Sequence, residues 1–309
     1  MRWVNNSGKR ARGGSRGRFI APTGIWRMSI LKVLPYGIQR VMKAAWHHPL
    51  LESSSQSRVG RLLRRAAGFP VTERTENVIR IEGVLVITNK YEKPLRFFVR
   101  NRRDLVQAYH FSGEFYEAEE LNIIQRYFQA GGIFVDIGAN VGNHTVFAAK
   151  ILSAKKVIPF ELHPDAVEVL TANIALNCCQ TVDTSYLGYG VSSSPDKLLP
   201  KRAGYGNNLA GVRFERRGGN QGFPTISGDA ALKDQWVDFI KIDIEGMEIE
   251  ALESLENTIK RCRPKIFIEV DNKNDDIFHS WRHHHKYTIS ERYRRYKWNV
   301  NYLLAPANN

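Results

Sequence analysis

From Ile133 onward, short continuous apolar runs alternate with segments whose apolar residues recur at the helical period. The runs 134–137, 157–160, 182–187, 236–242, 265–270 and 301–305 predict strands. Residues 146–152, 165–176, 248–255 and 277–285 predict the intervening helices, the second with Val169, Ala172 and Leu176 on its inward face. Strands and helices in this order build a parallel sheet through right-handed crossovers. Upstream, 78–88 and 95–99 are rich in β-branched and aromatic residues and flank the turn signal 89–94, which predicts a hairpin. A helix is expected over 116–128 from Leu121, Ile124 and Phe128, with Ser112 as its cap and Gly131 as its stop. Residues 191–224 break the rhythm with six glycines among basic residues and predict a loop or hairpin excursion.

Charge divides the chain differently. The net charge of +14 suggests a nucleic-acid partner until it is located. Residues 1–66 hold 14 Lys and Arg against one acid, Glu52, whereas the remainder holds 31 basic and 30 acidic residues. The nearly neutral remainder gives no electrostatic reason to expect a nucleic-acid substrate. Within the basic segment, Ile30, Leu34, Ile38, Val41, Met42 and Ala45 share a helical face opposite Lys32, Arg40 and Lys43, although Pro35 and Gly37 interrupt it. Such a stretch suits an anionic membrane surface. Packing against the domain, disorder and a targeting role are the alternatives, and Met28 is an alternative start. The expected division is a basic extension over 1–66, a β appendage over 67–112 and the main domain over 113–309. No apolar run is long enough to span a bilayer. Cys178, Cys179 and Cys262 form neither a metal-site spacing nor a disulfide framework, which predicts a cytoplasmic protein, in peripheral contact with membrane if the basic tail binds it.

Three strand ends carry the chemistry. The stretch 134–145 runs from an apolar strand into Asp136, then the turn Gly138-x-Asn140-x-Gly142, then a helix opening at His144 and Thr145. A dinucleotide would bring its pyrophosphate to this turn, where Asp136 would repel it, and the third glycine of a dinucleotide fingerprint is missing. S-adenosylmethionine lacks a phosphate and carries an ammonium and a sulfonium that an acid would attract. Glu161 ends the next strand and stands where an acid accepts hydrogen bonds from ribose hydroxyls. Asp243 and Glu245 end the strand 239–242, with helix capping as the alternative role for Glu245.

These segments resemble the FkbM-type S-adenosylmethionine-dependent methyltransferases over about 113–306. The resemblance rests on Glu114-Phe115-Tyr116-Glu117, the stretch 135–145, Glu161 with His163-Pro164, the stretch 241–252, and Ile268-Glu269-Val270. It implies a Rossmann-like α/β fold with a seven-stranded methyltransferase sheet, S-adenosylmethionine as cofactor, and O-methylation of a sugar or other small hydroxylated acceptor. Asp136, Gly138, Asn140, Gly142, Glu161 and Asp243 are the expected cofactor-binding residues, and Asp243 and Glu245 the expected catalytic ones, with His144 a third candidate base. The sequence departs from the family at Leu162, where proline is common, and has no acid near Gly188-Tyr189-Gly190 to hold the adenine amino group. A nicotinamide oxidoreductase and a non-catalytic cofactor-binding module held at a membrane are the competing readings. His283-His284-His285 is expected to be a solvated basic face rather than a metal site, since consecutive helical side chains point about 100° apart.

Overall fold

The computed structural model describes residues 83–193, 196–201, 208–216 and 222–307. The basic extension, and with it the candidate membrane contact, lies outside the described residues. Strands β1 (Val84–Thr88) and β2 (Leu95–Val99) form the expected hairpin, with Thr88 opposite Leu95 across the turn. Helices α1 (Leu105–Phe111) and α2 (Ala118–Tyr127) lead to β3 (Ile133–Ile137), α3 (Asn143–Lys150), β4 (Lys156–Phe160) and α4 (Pro164–Leu176). The free edge of β2 is closed by side chains of and just beyond α4: Asn173 accepts from the Phe98 N–H and Asn177 from the Arg96 N–H, at 2.7 and 2.9 Å. Leu95, Phe97 and Val99 enter the same apolar core as Phe134, Val146 and Phe147, so the hairpin is part of the packed body.

After α4 come β5 (Gly190–Val191), β6 (Lys197–Pro200), β7 (Phe214–Arg216) and β8 (Phe223–Ile226), which form a small sheet in the order β5-β8-β6-β7. This sheet occupies the excursion expected over 191–224. The chain then continues through α5 (Gly228–Leu232), β9 (Phe239–Ile242), α6 (Glu248–Ser254), α7 (Glu256–Cys262), β10 (Lys265–Asp271), α8 (Asp275–His284), β11 (Tyr287–Tyr293) and β12 (Asn299–Pro306). The central sheet has the order β11-β12-β10-β9-β3-β4. Pairing is parallel from β10 to β4, while β12 runs antiparallel between β10 and β11. This is a Rossmann-like α/β sheet with one reversed strand near its edge.

Four expectations need correction. The sheet has six strands among the described residues, not seven, because 182–187 contributes only the bridges Val157–Val182 and Glu161–Leu187. Asp183 accepts from both the N–H and the hydroxyl of Ser185, a local turn that takes the backbone out of strand geometry. Ser112 caps the C-terminus of α1 rather than starting α2, which opens at a left-handed Glu117 with φ 62°. Trp236 is exposed ahead of β9 and donates to Asp238, whose other carboxylate oxygen accepts the Ile133 N–H. Finally, His285 is buried, stacked on Trp281 with centroids 4.4 Å apart and 3.2 Å from Glu256, so it is no part of a solvated face.

Candidate functional site

Side-chain alternation on the central strands sorts one sheet face by depth. Phe134 and Phe239 lie on it at the amino ends of the parallel strands, register partners stacked 5.3 Å apart. Two residues further along, β3 presents Asp136 and β9 presents Lys241, which are register partners. Two further still stand Gly138, Asp243 and, on β10, Glu269. The chain reverses its sheet direction between β3 and β9, and ligands of open α/β sheets bind at the carboxyl ends there. A cavity of about 310 Å³ opens at that point, within the roughly 300–1,000 Å³ of small-molecule sites.

Gly138, Asn140, Glu161, Asp243 and Glu245 all line this cavity, as does His144. Asp136 and Gly142 do not. Asp136 is fully buried beneath, where one carboxylate oxygen accepts from Thr145 Oγ at 2.6 Å and the other lies 3.5 Å from Lys241 Nζ. Burial pushes its pKa up, and Lys241 opposes that rise. Discrimination against a phosphate at the turn therefore cannot come from direct exposure of Asp136. The glycines also have a different reason. A Cβ on Gly138, at φ 80°, would lie 1.9 Å from the Asp243 carbonyl oxygen, and one on Gly142, at φ 93°, would lie 2.5 Å from Leu170 Cδ1. They let the turn approach β9 and α4. Gly138→Ala is expected to cost more than about 2 kcal/mol of stability, read from urea denaturation, because neither the backbone angle nor the contact can relax cheaply.

Lys241 is the organising cation that sequence reasoning missed. It is 3% exposed, donates to the Gly138 carbonyl at 2.9 Å, and lies 3.4 Å from Asp243 as well as beside Asp136. Burial opposes its charge, but Asp243, Asp136 and Glu117 outweigh burial and raise its pKa. Glu161 fixes the turn from the other side: its two carboxylate oxygens accept the N–H groups of Asn140 and His163 at 2.8 and 2.7 Å. Each oxygen retains a lone pair for a further donor.

A second missed element closes the cavity from α2. Asn143 both donates to the Tyr116 carbonyl and accepts its N–H, each at 2.9 Å, which anchors the left-handed Glu117 near His144. The Glu117 carboxylate is 3.9 Å from His144 Nε2, a buried nitrogen without a hydrogen-bond partner among the described residues. Burial, then Lys241, holds His144 well below its ordinary pKa, so the ring is neutral and poorly suited to accept a proton.

Burial, then the Asp243 charge, raises the pKa values of Glu117, Glu245 and Glu269; Glu245 is pushed up to about 7. Acids raised in this way bind protons more tightly in the folded state, so their contribution to stability is lost as pH rises through the shifted range. The buried His110 and His144, whose pKa values are lowered, act in the opposite sense only below the ordinary histidine value. The ligand-free protein is therefore expected to show a falling thermal midpoint between about pH 7 and 9, and Glu117→Gln is expected to flatten that slope.

Residues 136–296 match the family model of the Methyltransferase FkbM domain. The chain belongs to the FkbM methyltransferase family. The matched stretch is just over half the chain and carries the strand ends of β3, β4, β9 and β10. The hexuronic acid methyltransferase AglP of Haloferax volcanii is 27% identical over 169 residues, which cover 53% of this FkbM-family chain and 66% of AglP, slightly under two thirds of that protein's length. Among solved structures, Methyltransferase FkbM from Methylobacillus flagellatus KT matches with a TM-score of 0.42 at 18% identity, covering 57% of this chain and 44% of that one. An uncharacterized protein from Listeria monocytogenes serotype 4b also gives 0.42, at 15% identity, covering 63% and 70%. Among the described residues no helix is long and apolar enough to cross a membrane, and no group of three or more His, Cys, Asp or Glu could hold a metal ion.

Proposed function

We propose that the protein is an S-adenosylmethionine-dependent methyltransferase that methylates a hydroxyl on a sugar or another small hydroxylated acceptor. The observation that carries this reading is the charge of the cavity. Glu117, Glu161, Asp243, Glu245 and Glu269 line it against Lys241 and Arg213, and Lys241 is already shared with Asp136 beneath. Burial and their mutual repulsion raise the pKa values of Glu117, Glu245 and Glu269, so a cationic ligand that stabilises their ionised forms is favoured, whereas a dinucleotide pyrophosphate would add to the repulsion. When bound, S-adenosylmethionine supplies a methyl group on a sulfonium leaving group. Glu161 fits the ribose hydroxyls, since its remaining lone pairs are acceptors. Asn140 and Gly138 border the same end, and Asp243, 3.4 Å from Lys241 and lining the cavity, fits the cationic part of the ligand.

A hydroxyl acceptor must lose its proton as the new bond forms. Asp243 is held by Lys241, whereas Glu245 stands at the cavity with a pKa near neutrality, the range in which a general base works best. Glu245 is therefore assigned the proton and Asp243 the cation. The relative AglP is a hexuronic acid methyltransferase by name, which supports a sugar as the acceptor class. Incubation of the full chain with methyl-tritiated S-adenosylmethionine and cell extract tests the reaction. Label is expected in a carbohydrate or small-molecule fraction and should survive mild base, as an ether does and an ester does not. Label confined to nucleic acid would reject a sugar or other small acceptor, and label lost in base would reject O-methylation of a hydroxyl.

A further inference from the structure

Beyond the strand ends, the cavity continues to a rim whose features the methyl donor does not need. Trp298 lines it and is 55% exposed, with Tyr296 stacked on one side, ring centroids 5.0 Å apart and planes within 8° of parallel. Tyr296 is itself fixed by a 2.6 Å hydrogen bond between its hydroxyl and that of Tyr116. The indole is thus a supported shelf beside the reactive carboxylates. Next to it, Asn299 is 4% exposed and lines the same cavity, yet its Oδ1 is buried without a hydrogen-bond partner among the described residues. A buried carboxamide oxygen without a partner is costly and points to a donor brought by a ligand.

The charges around the shelf select the kind of ligand. Arg213 is shared between Glu245 at 3.6 Å and Asp271 at 3.1 Å. Lys273 lies 3.8 Å from Asp271. Glu269 faces the charges of Asp243, Glu117 and Glu245, with Lys241 opposing them. Arg213 and Lys273 are thus already paired with acids, and an anionic acceptor would be repelled by the ionised members of this set or would have to hold further protons on it.

We propose that this rim is the acceptor subsite and that it takes an uncharged sugar ring, whose apolar face lies on Trp298 and whose hydroxyls donate to Asn299 Oδ1 and Glu245, while uronic acids are disfavoured. The proposal rests on the methyltransferase reading above, since it places the acceptor beside the presumed donor site. An aromatic shelf fits the C–H face of a pyranose, and the carboxylates and carboxamide accept from its rim of hydroxyls.

Saturation-transfer NMR on the full chain with S-adenosylhomocysteine present tests it. The probes are the methyl glycosides of glucose, galactose, mannose and rhamnose, together with the methyl glycosides of glucuronic and galacturonic acid. At least one neutral glycoside is expected to bind at pH 7.5 at least about tenfold more tightly than either uronide, and Trp298→Ala is expected to weaken that binding by about tenfold. Trp298 is exposed, so the variant is expected to fold, and its affinity for S-adenosylmethionine by calorimetry should stay within about twofold of wild type. Equal or tighter binding of a uronide, no binding of any neutral glycoside, or neutral binding unchanged in Trp298→Ala would each overturn the proposal. Loss of S-adenosylmethionine binding by the wild type would instead sink the methyltransferase reading itself, so the two failures are separable.

Discussion

Glu245→Gln is expected to lower kcat by roughly 10²–10⁴-fold, the usual contribution of a positioned general base, with little change in affinity for S-adenosylmethionine. The carboxamide has nearly the same shape but cannot accept the acceptor's proton. In the wild type, burial and then the neighbouring Asp243 charge push the Glu245 pKa up to about 7. A base must be deprotonated to act, so the rate should be low below that value, rise through it and level off above. Glu245→Gln should lose this rise, while Glu245→Asp should retain it at a reduced rate. A variant with normal kcat and an unchanged pH profile would remove Glu245 from the chemistry and return the assignment to Asp243.

Lys241→Met carries the largest expected effect on stability. Breaking a buried ion pair by removing one partner typically costs about 3–5 kcal/mol, because the remaining charge is left unpaired. Here the remaining charge is Asp136, fully buried, whose carboxylate accepts otherwise from the Thr145 hydroxyl. Urea denaturation measures the loss. Without Lys241, Asp136 would be expected to hold its proton to higher pH, so the variant should regain part of the lost stability as pH falls toward about 5. The double variant Lys241→Met, Asp136→Asn should recover much of it at neutral pH. A single variant as stable as wild type, or a double variant no better than the single one, would show that the ion pair does not organise the turn.

The strand–turn–helix at 134–145 and the strand end at 239–246 were legible because each is a continuous apolar run that stops at an acid and a glycine. Glu161, at the end of the strand after the turn, also stood where a nucleoside-cofactor fold places an acid. What the sequence concealed is the direction of each side chain. Asp136 reads as a strand-end acid facing a ligand, but alternation puts it beside Lys241, one layer below the cavity. Lys241 lies in a strand whose four residues are all buried, so no polar face marks it. Glu117 and Glu269 were visible only as parts of a family resemblance. Their place at the cavity depends on a left-handed residue and on the register of β10 with its neighbours, and neither has a local signature. Strand β11 was missed because its exposed positions, Thr288, Ser290 and Arg292, are polar and a charged Glu291 interrupts the half-buried face, which reads as a loop. The third expected strand failed for a local reason, the turn formed by Asp183 and Ser185.

The most direct measurement of the central claim is a calorimetric titration of the full chain with S-adenosylmethionine and, separately, with NAD. Saturable one-site binding of S-adenosylmethionine is expected, weakened by about tenfold or more in Asp243→Asn, with no heat from NAD. Binding of NAD without S-adenosylmethionine would contradict the account, because the carboxylate-lined cavity would then be accommodating the pyrophosphate it is argued to repel.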